Sequence, residues 1–463
     1  MGNVLRNIPS VNDLLESPPL RRLVDRANRT VVVSGIRNFL DKFRSEVHTA
    51  AAEINVPTVG ELAETIADWI LTEEQLPLRP VVNATGILLH TGLGRAPLPQ
   101  PAIDAISKVT AGYASVEIDL ETGKRSQRTV AVEKLLRQVT GAEAAFVVNN
   151  NAGATLLALA AVAGGREVIV SRGQLIEIGG SFRLPDVMSS SGTVLREVGT
   201  TNKTRIEDYR DAICQDTAAM MRVHTSNFVV EGFTAEASLE ELIELGKQRN
   251  LPVIDDIGSG ALVDFKKYGV DREPVASQSV KAGADLVLFS GDKLMGGPQC
   301  GIIVGNASLI EKIRKHPLAR ALRVDKIVLA ALAATINLYR DIDNAERTIP
   351  LLQLLSASEE NLKNRAERLT PQLAACTCVA KAEVVPDTTF LGGGSVPTQR
   401  IPTWTVGITP AKITLDALSH QLRTGSPAVL GRIHKDQLIL DLRSVLPSQD
   451  VDLIEAVSAI GES

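Results

Sequence analysis

Leu286-Val-Leu-Phe-Ser-Gly-Asp-Lys-Leu-Met-Gly-Gly-Pro-Gln-Cys-Gly301 is the stretch that decides the fold. Its first half is apolar almost without interruption, which is the pattern of a strand buried on both faces, and it runs straight into a glycine-rich loop. Working outward, short β-rich runs recur at residues 145–148, 167–171, 194–198, 220–224, 252–255, 285–289 and 301–304, separated by stretches at helical spacing. Seven such strands alternating with helices predict an α/β domain with a mainly parallel sheet covered on both sides. Before it, Leu62, Ile66, Trp69 and Ile70 recur at three- and four-residue intervals, so residues 1 to about 75 are expected to be helical. After it, a helix-favouring stretch is expected from about 325 to 369, broken near Pro350, followed by a smaller α+β segment with a strand at 437–442. The expected division is 1–75, 76–335 and 336–463.

Composition sets bounds around this plan. The chain has 463 residues, 44% apolar and 22% charged, enough to build extensive cores and unlike a disordered chain. Aromatic residues make up only 3%, so stacking platforms for single-stranded nucleic acid are not expected as its main device. The net charge of −5 excludes a globally basic coat. Local charge is different: residues 1–44 carry Arg6, Arg21, Arg22, Arg26, Arg29, Arg37, Lys42 and Arg44 against Asp13, Glu16, Asp25 and Asp41. That excess suits either a solvated helix face or a nucleic-acid partner. The four cysteines are too few and too irregular for a disulfide framework, and Cys376-Thr-Cys378 lacks a second ligand pair, so no metal site is expected. The first residues lack a continuous apolar run, and the longest low-charge stretch, 152–165, is shorter than the roughly 18 residues a membrane span needs. A cytoplasmic protein without membrane contact is the expectation.

Three strand ends carry the chemistry. Ser290, Gly291, Asp292 and Lys293 arrive at the carboxyl end of the quoted strand, where open α/β sheets bind ligands. Desolvation there depresses a lysine pKa and makes the amine nucleophilic; such lysines form Schiff bases with carbonyl cofactors, pyridoxal 5′-phosphate (PLP) above all. A lysine in a surface turn is the plain alternative. Pro252-Val-Ile-Asp-Asp-Ile-Gly-Ser-Gly260 ends a second strand on acids. PLP needs a carboxylate against its pyridine nitrogen, and because Asp255 and Asp256 point to opposite faces only one can serve; Asp256 is favoured. Val147-Val-Asn-Asn-Asn-Ala-Gly-Ala154 runs from a third strand into a helix whose free amides, at Asn150, Asn151 and Ala152, would cradle a phosphate. Each feature alone has an ordinary capping explanation, but phosphate cradle, carboxylate and lysine in that order are hard to reach by accident. His224 ends a further strand and suits either the cofactor ring or a satisfied core position. In His316-Pro-Leu-Ala-Arg-Ala-Leu-Arg323, the spacing of three predicts Arg320 and Arg323 on one helix face, a pair of forks suited to a phosphate dianion, with Arg95 completing the clamp.

These strings, together with Ser171-Arg-Gly-Gln-Leu-Ile-Glu-Ile-Gly-Gly180, His224-Thr-Ser-Asn227 and Val82-Asn-Ala-Thr-Gly-Ile-Leu-Leu-His-Thr-Gly-Leu-Gly-Arg95, resemble bacterial selenocysteine synthases, the L-seryl-tRNA(Sec) selenium transferases, over essentially the whole chain. The resemblance implies a fold-type I PLP-dependent transferase with Lys293 carrying the cofactor and Asp292 in the catalytic site. It also implies that Arg95, Arg320 and Arg323 hold the phosphate of the selenium donor. The chain departs from the family pattern at Met295 and Cys300, apolar replacements read as neutral. The implied reaction turns seryl-tRNA(Sec) into selenocysteinyl-tRNA(Sec) by β-elimination of water and addition of selenium from selenophosphate. The implied assembly is a homodecamer, a pentamer of dimers, with tRNA on the basic N-terminal segment. The rival enzyme is a PLP-dependent β-eliminating lyase acting on a small free amino acid or amino sugar acid, which would be expected to lack that segment. A non-catalytic tRNA-binding scaffold is the rival outside enzymology, and the intact lysine–aspartate–arginine set argues against it.

Overall fold

The computed structural model describes residues 8–26, 28–49, 57–73, 78–179, 182–392 and 395–460. Arg6, Gly180 and the Gly393-Gly394 pair lie outside the described residues. The chain divides into two compact units, meeting in sequence at Pro80 and Val81.

The first unit is helical, with helices Val11–Leu15, Pro18–Arg26, Arg29–Thr49 and Val59–Glu73. Leu14, Leu20, Val32, Ile36, Leu40, Leu62, Ile66 and Ile70 form its buried core. Two starts are set by reciprocal caps: Ser10 with Asp13, and Thr58 with Glu61. Gly35 lets two helices approach closely, since a Cβ there would stand 2.5 Å from Ile70 Cγ1.

The second unit is built on a seven-stranded sheet in the order Ala144–Val148, Gly301–Gly305, Leu286–Ser290, Val253–Gly258, Thr217–Val223, Glu167–Ser171, Val194–Val198. All pairings are parallel except those of Gly301–Gly305, which runs antiparallel to both neighbours. Every expected strand is present. The sheet is buried on both faces because alternate residues feed opposite cores: Ala145, Val147, Val287 and Phe289 pack on one side, and Phe146, Val148, Leu286 and Leu288 on the other. The edge strand Val194–Val198 is largely solvated.

Between residues 325 and 375 the chain forms helices Lys326–Leu338, Ile342–Thr348, Pro350–Ser356 and Glu359–Ala374. The expected single break at Pro350 is one of three, because Asp341 and Ser358 each cap a new helix through the side chain. A five-stranded sheet follows, with the long hairpin Val379–Gly392 and Ser395–Pro410 beside Gln437–Asp441 and Arg432–His434. Its fifth strand comes from far upstream: Ile87–Leu89 pairs in parallel with Val379–Gly392, and Val81–Asn83 pairs with Ala428–Leu430. Residues 81–89, grouped by sequence with the large domain, therefore share strands with the C-terminal elements. Three-residue strands show no periodicity from which a distant partner could be read.

Candidate active site

The carboxyl ends of Ala144–Val148, Thr217–Val223, Val253–Gly258 and Leu286–Ser290 border a cavity of about 250 Å³. Lys293 lies on its wall, brought there by the loop after Leu286–Ser290. That loop is tied to the neighbouring strand end by Leu294 N–H donating to Ser259 O at 3.0 Å. A glycine is required at Gly260, where φ is +77° and a Cβ would stand 2.2 Å from Ser290 O. Lys293 is only 5% exposed. Burial, and after it the positive charge of Arg95, pulls its pKa below the ordinary lysine value, against the pull of Asp292, Asp256 and Glu273.

Asp256 and Asp255 separate as strand alternation requires. Asp256 faces the cavity and accepts from Asn151 Nδ2 at 2.8 Å, Thr155 Oγ1 at 2.8 Å and Gly258 N at 3.2 Å. Burial pushes its carboxyl above the usual carboxylate range, against the pull of those donors and of Lys293. Asp255 is held on the other face by a two-pronged pair with Arg222, at 2.7 and 2.9 Å.

The third strand end leads into helix Asn151–Ala163. Asn150, which lines the cavity, caps it, its Oδ1 accepting from Gly153 N at 2.8 Å, and that bond leaves the amides of Asn150, Asn151 and Ala152 for the cradle. The Asn151 side chain serves the carboxylate site. Thr155, one turn further on, was not among the expected residues; its four-residue offset from Asn151 was the available signal.

Arg95 reaches the cavity from a turn in which its own φ is 63°, and its Nη1 donates to Asp292 Oδ2 at 2.7 Å. Ala152, His224 and Ser290 also line the space. The loop containing Ile176, Ile178 and Gly179, together with Gln299, contributes further walls; both lie in strings that carried the resemblance, but neither was given a site role.

The arginine pair departs from expectation. The helix is only Pro317–Ala321, so Arg320 lies on it while Arg323 lies beyond it, in an antiparallel bridge with Val148. Leu322 O accepts from Asn149 N at 3.0 Å, which draws this segment beside the phosphate cradle. Both arginines are exposed and neither lines the cavity. Pro317 starts a helix here, but capture of the chain by the sheet edge ends it within two turns.

The residues fit PLP. Asp256 is a buried carboxylate whose bonded partners are neutral donors, as a site for a pyridinium N–H requires. Lys293 is a buried amine whose pKa burial lowers, and a helix N-terminus with free amides opens on the same cavity. Fold and site together define a fold-type I PLP-dependent enzyme.

Among solved structures the chain resembles D-glucosaminate-6-phosphate ammonia-lyase, with a TM-score of 0.57 and 20% identity, covering 84% of this chain and 97% of that one, a likeness of fold alone. The sequence profile of L-seryl-tRNA selenium transferase matches residues 81–446, and that of the selenocysteine synthase N terminus matches 5–44. The L-seryl-tRNA(Sec) selenium transferase of Moorella thermoacetica is 47% identical over 98% of this chain and 96% of its own length. That of Carboxydothermus hydrogenoformans is 44% identical over 97% and 96%. The chain belongs to this family, the PLP-dependent transferases of selenocysteine synthesis.

Proposed function

We propose that this chain converts seryl-tRNA(Sec) to selenocysteinyl-tRNA(Sec) at the cavity around Lys293, taking selenium from selenophosphate. The observation that carries this reading is the meeting of Lys293, Asp256 and the Arg95–Asp292 pair on one cavity. Bound there, PLP supplies an electron sink for negative charge developing at the seryl Cα. Asp256 keeps the ring nitrogen protonated, and the amides of Asn150, Asn151 and Ala152 hold the phosphate. Lys293 Nζ would be the attachment point and, once released, the base for the Cα proton. Asp292, paired with Arg95, would move protons at the departing β-hydroxyl. The β-hydroxyl leaves as water, a Cβ–Se bond forms, and the donor's phosphoryl group passes to water. Arg95, with the exposed Arg320 and Arg323 beside the cradle, binds that phosphate.

The N-terminal helices supply the tRNA contact in this reading: Arg21, Arg22, Arg29, Arg37, Lys42 and Arg44 are all exposed. A lyase for small amino acids has no use for such a unit, and the N-terminal profile match favours the transferase. A cytoplasmic homodecamer is part of the same proposal. Among the described residues no helix is long and apolar enough to cross a membrane.

The deciding experiment is selenium transfer by purified protein with charged tRNA(Sec) and selenophosphate. Transfer is expected in the wild type and should be undetectable for Lys293→Ala; product from that variant would refute the assignment. Filter retention of seryl-tRNA(Sec) should be lost on deleting residues 1 to about 60.

A further inference from the structure

Glu273 is the least explained group in the second unit. Its side chain is 1% exposed, and among the described residues neither Oε1 nor Oε2 has a hydrogen-bond partner. A buried carboxylate without donors is costly, and native structures rarely keep one without a use for it. Among the described residues the ionisable nitrogen within 4 Å of it is His224 Nε2, itself buried and unpartnered there, 3.6 Å from Glu273 Oε2. That is only a few tenths of an ångström beyond hydrogen-bond range, which ends near ~3.2 Å.

His224 is an imidazole of the cavity wall. Its backbone N–H donates to Asp256 O at 2.9 Å and its carbonyl accepts from Ser226 N at 2.9 Å, so the base of the ring is fixed beside the carboxylate site. Glu273 is aimed with similar care. It precedes Pro274, which restricts its backbone to extended conformations, and follows Arg272, which sits at φ 69° in the left-handed region.

We propose that Glu273 is a positioning residue for the transfer reaction: it takes the Nε2–H of His224 and so fixes which tautomer and which ring orientation face the cavity. A ring nitrogen bonded to a carboxylate keeps its proton, leaving Nδ1 as the acceptor, and the ring can no longer flip. This assignment rests on the transferase reading for its functional meaning but not for its geometry.

The test is nitrogen-15 NMR of histidine-labelled protein without added cofactor. The chain has six histidines, and His224→Gln identifies the signal. Wild type and Glu273→Gln should both show the Nε2–H tautomer at His224, because glutamine offers an acceptor oxygen in the same place. Glu273→Leu should show a mixture or the other tautomer. In the selenium-transfer assay Glu273→Leu should lower kcat by roughly ten- to a hundredfold, and Glu273→Gln should restore most of it. The same tautomer in wild type and Glu273→Leu would overturn the proposal, as would a Glu273→Gln variant as impaired as Glu273→Leu. Absence of transfer by the wild type would instead sink the functional reading and leave the tautomer measurement standing.

Discussion

The two faces of strand Val253–Gly258 carry the same side chain one residue apart and treat it in opposite ways. On one face Asp255 is fully buried and neutralised by the forked Arg222 guanidinium from the adjacent strand. On the other, Asp256 is also buried, at the cavity wall, but is met by an amide, a hydroxyl and a backbone N–H, which supply hydrogen bonds without charge. The first carboxylate is complete within the chain. The second is arranged for a cation that comes from elsewhere. A buried ion pair formed inside the fold serves architecture, whereas a buried carboxylate given only dipoles is poised for a ligand.

The sharpest way to break this contrast is Asp256→Asn. Selenium transfer should fall by on the order of 10²–10³-fold or more, since the ring nitrogen loses its charged partner, while the protein stays folded. Comparable activity in the variant would show that the cavity face is not the functional one. On the opposite face, Asp255→Asn leaves Arg222 half-answered and should cost about 2–4 kcal/mol in urea unfolding, with Lys293 still labelled by borohydride reduction of the holoenzyme.

A pH series sharpens the comparison further. The folded pKa of Asp256 is raised by burial, so in the protein without cofactor its stabilising contribution is present at low pH and is lost as pH rises through that value. Asp256→Asn should therefore gain stability relative to wild type as pH climbs above the ordinary carboxylate range, whereas Asp255→Asn should remain the less stable protein at neutral pH. Lys293→Met should show the opposite pH dependence. Its folded pKa is lowered, so the wild type gains stability as pH rises towards the ordinary lysine value, and the variant should lack that rise. The smallest effect belongs to Thr155→Val, which removes one donor from Asp256 and should weaken cofactor retention by about 1 kcal/mol, read from equilibrium dialysis.

Much of this was legible in the sequence because strand chemistry is local. Apolar runs of about five residues identified the sheet, and alternation alone assigned Asp255 and Asp256 to different faces. Lys293, Asp256 and the amides of Asn150, Asn151 and Ala152 follow from the rule that ligands gather at strand ends. Arg320 and Arg323 show the limit of the same logic. Their spacing is helical, but the helix ends at Ala321 because the next residues join the sheet edge through Val148 and Asn149. A competing hydrogen-bond partner 170 or so residues upstream leaves no mark on a local pattern. Thr155 and Glu273 were missed for a related reason: a threonine within a helix and a glutamate before a proline are unremarkable until the chain folds around them.

What the sequence determined by itself was the set of strands, their order of chemical endings and the alternation that separates neighbouring carboxylates, because each depends on residues a few positions apart. Only the tertiary structure decided that Ile87–Leu89 joins a sheet made by the C-terminal half, that Arg95 pairs with Asp292, and that Glu273 is buried against His224. Those contacts join segments separated by tens to hundreds of residues, and their energetics come from burial, which no residue possesses until the rest of the chain surrounds it.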